Sequence, residues 1–146
     1  MVFKPYKNVD IQRFKFETHS IEIYGETFVN SIKVKNIHTN KEQILNGFLI
    51  STYVNQIILE DINFDGYFDL RIRDNSNREI FWGYNILSDE FEFINVLNIM
   101  ECELSSINKI NEYITCRTYK YEKPGYLKFI PETNEKGTVY FGIDEL

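Results

Sequence analysis

At 146 residues the chain fits a single domain, and such a domain buries about two-thirds of its unfolded surface without disulfide staples. Sixteen Lys and Arg against 22 Asp and Glu leave a net charge of −6, which argues against a nucleic-acid binder working through a basic face. No alanine occurs, whereas Ile, Tyr, Phe and Asn abound and aromatics reach 16%. Strong helix formers are thus scarce and residues suited to a pleated sheet are plentiful. A helical bundle, a disordered tail and a membrane-spanning protein are excluded, the last because no apolar run exceeds three residues, as at Ile57–Leu59. An antiparallel, all-β single domain is expected over 1–146, with N-terminal strands and a hairpin in 1–50 and the remaining strands in 51–146.

In chain order, Met1–Asp10 carries Lys4 and Lys7 but no apolar stretch of the kind a secretory signal needs. Arg13–Tyr24 alternates apolar and polar residues as a half-exposed strand does, and Gly25-Glu26 punctuates it. Ile32–Lys35 alternates again, His38–Lys41 is rich in turn formers, and Gln43–Ile50 resumes the apolar signal, so a hairpin is predicted. Ile57–Leu59 and Leu70–Arg73 follow, and Glu79–Leu87 is expected to pair with Phe91–Leu97. Ser105–Asn111 permits a short helix made of poor helix formers. Tyr113–Tyr119, Tyr126–Ile130 and Thr138–Ile143 read as closing strands, and Glu132–Lys136 as a solvated turn. Trp82, Tyr84 and Ile86 share one strand face opposite Phe81 and Gly83; core packing is the favoured reading over an aromatic binding patch.

One segment carries chemistry. In Asp61-Ile62-Asn63-Phe64-Asp65-Gly66-Tyr67-Phe68-Asp69, oxygen-bearing side chains stand at relative positions 1, 3, 5 and 9, with glycine at 6. A tightly turning loop with that spacing can wrap a hard cation, and a backbone carbonyl at position 7 completes the set. Asp61, Asn63, Asp65 and Asp69 are the candidate side-chain ligands, and Tyr67 offers its carbonyl. Many flexible oxygens suit Ca2+ better than Mg2+, and the missing nitrogen and sulfur donors disfavour zinc. Position 12 is Ile72 rather than Glu, and strands flank the loop, so it is not an EF-hand. Without that bidentate Glu the expected Kd is on the order of 10⁻⁵ to 10⁻³ M. A metal-free Asp/Asn/Gly turn is the rival reading, opposed by the mutual repulsion of three carboxylates within nine residues.

Elsewhere no G-x-S-x-G, H-E-x-x-H or phosphate-binding glycine loop occurs, and a non-enzymatic role is expected. His19 and His38 sit in no nucleophile or metal motif and read as exposed residues. Cys102 and Cys116 lack the paired spacing of a zinc site; two half-buried thiols are favoured over a hairpin-bridging disulfide.

The stretch Leu59–Leu70 resembles the signature of a bacterial family of extracytoplasmic proteins. Its best-understood members are immunity proteins that inhibit lysozyme-like peptidoglycan hydrolases delivered into rival bacteria by secretion systems. Ile32-Lys33-Val34 and Glu42-Gln43-Ile44 are similar to the family's hairpin, and Phe81–Asn85 with Glu90-Phe91 to its aromatic strand and the turn that follows. The likeness runs over Ile32–Ile130. It implies a propeller-like or sandwich-like β domain, Ca2+ in the loop, and a cognate peptidoglycan hydrolase toxin whose active site is blocked. A partner with net charge −6 would attract a cationic wall-degrading enzyme. A calcium-dependent extracytoplasmic glycan- or protein-binding module is the alternative. The resemblance and a weak calcium site imply the periplasm, while the lack of a leader in Met1–Asp10 leaves the cytoplasm open.

Overall fold

A computed structural model describes residues 13–51, 54–74, 78–118 and 125–145. Met1–Asp10 and Tyr119 lie outside the described residues. Twelve strands and one short helix are seen among those described, in the order β1 (Phe14–Ile23), β2 (Glu26–Asn36), β3 (Glu42–Leu45), β4 (Ile50–Ser51), β5 (Val54–Glu60), β6 (Asp69–Asp74), β7 (Glu79–Asn85), β8 (Glu90–Phe93), α1 (Asn95–Ile99), β9 (Glu103–Asn108), β10 (Tyr113–Thr118), β11 (Gly125–Thr133) and β12 (Val139–Glu145). They form three four-stranded antiparallel sheets. The first places β2 between β1 on one side and β3 and β4 on the other; the second runs β5-β6-β7-β8 and the third β12-β11-β10-β9. The all-β class expected from composition is what the chain adopts, with no closed barrel.

The second sheet lies in the middle. Alternation along its strands sends Leu70, Ile72, Ile80, Trp82 and Tyr84 to one face, where they pack with Val29, Ile32, Val34 and Leu45 of the first sheet. Phe81 points to the opposite face and joins Ile114, Cys116, Phe129, Val139 and Phe141 of the third sheet, together with Leu97 of α1. Because β7 feeds both cores, all seven of its residues are buried. Space at Gly83 is tight: a Cβ would stand 3.3 Å from that of Val139, so a side chain there would need β12 to give by a few tenths of an ångström. Trp82 and Tyr84 are therefore core residues, as favoured, whereas Ile86 lies beyond the strand and is exposed.

Several boundaries differ from expectation, each for a tertiary reason. Gln43–Ile50 is not continuous: β3 ends at Leu45, Gly47 turns at φ +83°, and β4 rejoins β2 further along. The strand expected over Phe91–Leu97 stops at Phe93 and gives way to α1. That helix has no side-chain N-cap and no acid in its first turn. It is held by Leu97 in the core and by Asn98, whose Oδ1 accepts the Phe81 N–H at 2.9 Å while its Nδ2 donates to the Phe81 carbonyl at 2.9 Å. Ser105–Asn111 is not helical; its first residues belong to β9, which pairs with β10. The strand over Glu79–Leu87 ends at Asn85, whose side chain accepts the N–H groups of Leu87 and Ser88 and closes the turn.

The cysteines are not free thiols: Cys102 and Cys116 form a disulfide, with Cα atoms 5.2 Å apart. Cys102 precedes β9 and Cys116 faces Leu104 across a β-bulge, which brings the two together. Closing a loop of this length is worth about 3 kcal/mol in chain entropy. Among the described residues no helix is long and apolar enough to cross a membrane.

Candidate metal centre

The β5–β6 connection contains Asp61, Asn63, Asp65 and Tyr67, and Asp69 opens β6 at its end. Glu60 and Asp69 form the last pair of the hairpin, and residues 61–68 bulge between them. Two apolar side chains anchor this loop: Ile62 and Phe64 are buried in the core shared with the third sheet. Tyr67 turns to the other core, its ring 6.0 Å from that of Tyr84. Sharp reversal requires left-handed backbone at Phe64 (φ +62°) and Gly66 (φ +91°). Glycine adopts that conformation freely, whereas for phenylalanine it costs about 1–2 kcal/mol, which burial of the ring offsets.

Within this frame the polar groups converge. Asp61 accepts the N–H of Asp65 at 3.2 Å and of Gly66 at 2.8 Å. Asp65 accepts the N–H of Tyr67 at 2.9 Å and the Nδ2 of Asn63 at 2.9 Å. Asp69, 2% exposed, accepts the N–H groups of Ile62 at 3.0 Å and Tyr84 at 2.9 Å, so it holds both the loop and the central strand. Those two donors occupy about half of the acceptor sites on the Asp69 carboxylate. Asn63 is 8% exposed, and its Oδ1 is buried without a hydrogen-bond partner.

The electrostatics are adverse in the absence of a cation. Burial pushes the Asp65 carboxyl up to about 6, and the Asp61 charge adds to it against the Tyr67 and Asn63 hydrogen bonds. Asp69 is raised well above the carboxylate range, first by burial and then by the charges of Asp65 and Asp61, over the opposing bonds from Tyr84 and Ile62. Among the described residues no group of three or more His, Cys, Asp or Glu side chains is gathered into a preformed metal cluster. What the loop offers is a mixed all-oxygen set of carboxylates, one amide carbonyl and backbone carbonyls, a donor chemistry that suits a hard cation. The unpartnered Asn63 oxygen fits that set, because an orphaned buried acceptor costs about 1–3 kcal/mol unless a donor or cation meets it.

Two neighbouring groups escaped the sequence reading. Behind the loop, Arg71 bridges Glu60 and Glu79, with Nη1 2.6 Å from Glu79 Oε1. The buried Glu79 also accepts the Leu104 N–H at 2.9 Å, tying the central sheet to the third. At the far end of β7, Asp89 accepts from Tyr84 Oη at 2.6 Å, Asn36 Nδ2 at 3.0 Å and Thr39 Oγ1 at 3.1 Å. Burial opposes ionisation there, yet these donors and Lys41 hold the carboxyl below its usual range. Neither was visible in sequence, since the partners stand 5 to 53 positions apart. His19 and His38 are exposed, as expected. No family model, curated protein or solved structure matches this chain.

Proposed function

We propose that this chain is a calcium-stabilised immunity protein that binds a peptidoglycan hydrolase toxin and blocks its active site. The observation that carries the calcium assignment is the buried, unpartnered Asn63 Oδ1 in a loop with the strained carboxylates of Asp65 and Asp69. Asp61, Asn63, Asp65 and Asp69 would hold the ion with the Tyr67 carbonyl. Bound Ca2+ would relieve the like-charge repulsion and fix the β5–β6 turn, stiffening the binding surface without taking part in any reaction. The inhibitor role rests on the resemblance of Leu59–Leu70 to the immunity family and on the net charge of −6, which suits a cationic partner. The Cys102–Cys116 disulfide supports an oxidising setting such as the periplasm, where millimolar calcium could fill a weak site.

The test has two measurements. Calorimetric titration with Ca2+ is expected to show one site with Kd on the order of 10⁻⁵ to 10⁻³ M. A secreted peptidoglycan hydrolase from the neighbourhood of this chain's gene, once found, is expected to form a one-to-one complex with it and to lose its degrading activity; absence of such a gene, or full activity at saturating inhibitor, would sink the proposal. Tyr126, Ile130 and Tyr140 are exposed on the outer face of the third sheet and favour the second reading, a glycan- or protein-binding module. Binding of soluble glycan fragments without any effect on hydrolase activity would decide for it.

A further inference from the structure

The β1–β2 hairpin ends in a two-residue turn, Tyr24-Gly25, closed by the Ile23–Glu26 pair. Both turn residues have positive φ, +49° and +80°, as a type I′ hairpin requires. Such turns favour Asn, Asp or Gly at the first position. Tyrosine there costs backbone energy, and its ring recovers none of it by packing, because Tyr24 is 103% exposed. A residue that breaks a local rule with no structural return is kept for something it touches outside the fold.

The surroundings say what that is. Along β1, Thr18, His19, Ser20, Ile21 and Glu22 are all exposed, and beyond the last β4 pair, at Phe28, the hairpin tip has no further strand beside it among the described residues. Ile21, Ile23 and Phe28 lie on one face beneath the tip, giving a small apolar strip crowned by the tyrosine. Between Glu17 and Ser31 there are three Glu and no Lys or Arg. Glu22 and Glu26 flank the tip directly. Beyond the Phe28–Ser51 pair with β4 the hairpin is two strands wide, about 5 Å between strands, and this tip, with its aromatic point and acidic rim, matches a concave and cationic receptor rather than a flat one. Its carboxylates would repel nucleic acid or an anionic glycan.

We propose that the Tyr24-tipped β1–β2 hairpin is the element that enters the cationic substrate cleft of the hydrolase, with Tyr24 as the buried anchor and Glu22 and Glu26 steering the approach. This rests on the inhibitor reading above and names its contact surface. Tyrosine suits the role, since it supplies a large rigid contact at low entropic cost and is enriched among residues that dominate binding energy.

The test measures binding of the purified hydrolase identified as the partner under the proposed function to the wild-type chain and to two variants. Tyr24→Asn, which suits the type I′ turn, should weaken the complex at least thirtyfold, mainly through faster dissociation, while its Tm is equal to or above that of the wild type. Glu22→Lys with Glu26→Lys should slow association at low salt and lose that effect at high salt. If the wild type binds and Tyr24→Asn binds equally well, the finger is not the contact, although the inhibitor reading survives. If the wild type itself does not bind, both fall together.

Discussion

Two hairpin connections in this molecule place an aromatic residue in left-handed backbone, and they resolve the cost in opposite ways. In the β5–β6 loop Phe64, at φ +62°, carries its ring into a core with Phe81, Leu97 and Phe129. At the β1–β2 turn Tyr24, at φ +49°, stands wholly in solvent. The strain is similar and the compensation is not. Phe64 belongs to the fold: its burial anchors the loop that gathers Asp61, Asn63, Asp65 and Asp69. Tyr24 gains no buried surface in the isolated chain, and on the proposal above what retains it is a partner. Backbone strain thus separates a structural aromatic from a binding one once burial is known.

The largest way to break this contrast is a matched substitution. Phe64→Asn relieves about 1–2 kcal/mol of backbone strain but forfeits a buried aromatic worth about 3–5 kcal/mol, a net loss of about 1–4 kcal/mol. At the upper end of that range Tm falls by about 8–16 °C, measurable by calorimetry. A melting temperature equal to that of the wild type would show that the loop is not anchored through this ring.

Next comes the ion. Calcium at a hundredfold excess over Kd should add about 2.7 kcal/mol, or about 10 °C in Tm, and chelation should remove it. Asp65→Ala is expected to abolish this calcium-dependent shift while leaving the calcium-free Tm unchanged or slightly higher, since a like charge is gone. A variant that still melts higher in calcium, by as much as the wild type does, would refute the ligand assignment.

These two regions also mark what the sequence could disclose. The Asp61–Asp69 ligand pattern is dense in sequence, so its spacing alone pointed to the loop. Alternation likewise gave most strands, because each middle-sheet residue faces one core or the other. Tyr24 carries no such signal, because Ile21, Ile23 and Gly25 have the pattern of an ordinary strand end and exposure on both faces leaves no mark in it. The turn itself falls one residue earlier than Gly25-Glu26 suggested. The helix α1 and the disulfide were hidden for a related reason: Asn98 meets Phe81 and Cys102 meets Cys116 only after the sheets have formed.

A smaller effect concerns protons and again separates the loop from its surroundings. Asp65 titrates near 6 in the calcium-free fold against 3.8 ordinarily, so the native state holds its proton more tightly than the unfolded chain does. Its contribution to stability is therefore fully present below about pH 3.8 and is lost as pH rises through 6. Asp69 is shifted in the same direction. Without calcium, Tm should rise when pH is lowered from 7 to 5. In calcium the ion and the proton compete for the same carboxylates, so acidification should shrink the calcium-induced shift. Asp65→Asn should flatten the part of the calcium-free profile due to this group, whereas Glu79, also raised chiefly by burial, keeps its own acid-side contribution.

The smallest effect carries the sharpest sign. Tyr24→Asn replaces a strained, solvated ring with a residue that tolerates left-handed backbone, and no buried surface is lost. Stability should increase by about 1 kcal/mol, or about 2–4 °C in Tm. The same change to Asn thus destabilises at position 64 and stabilises at position 24, although both backbones turn the same way. A fall in Tm for Tyr24→Asn would mean that the ring supports the hairpin within the isolated chain, and the distinction between an aromatic kept for folding and one kept for binding would collapse.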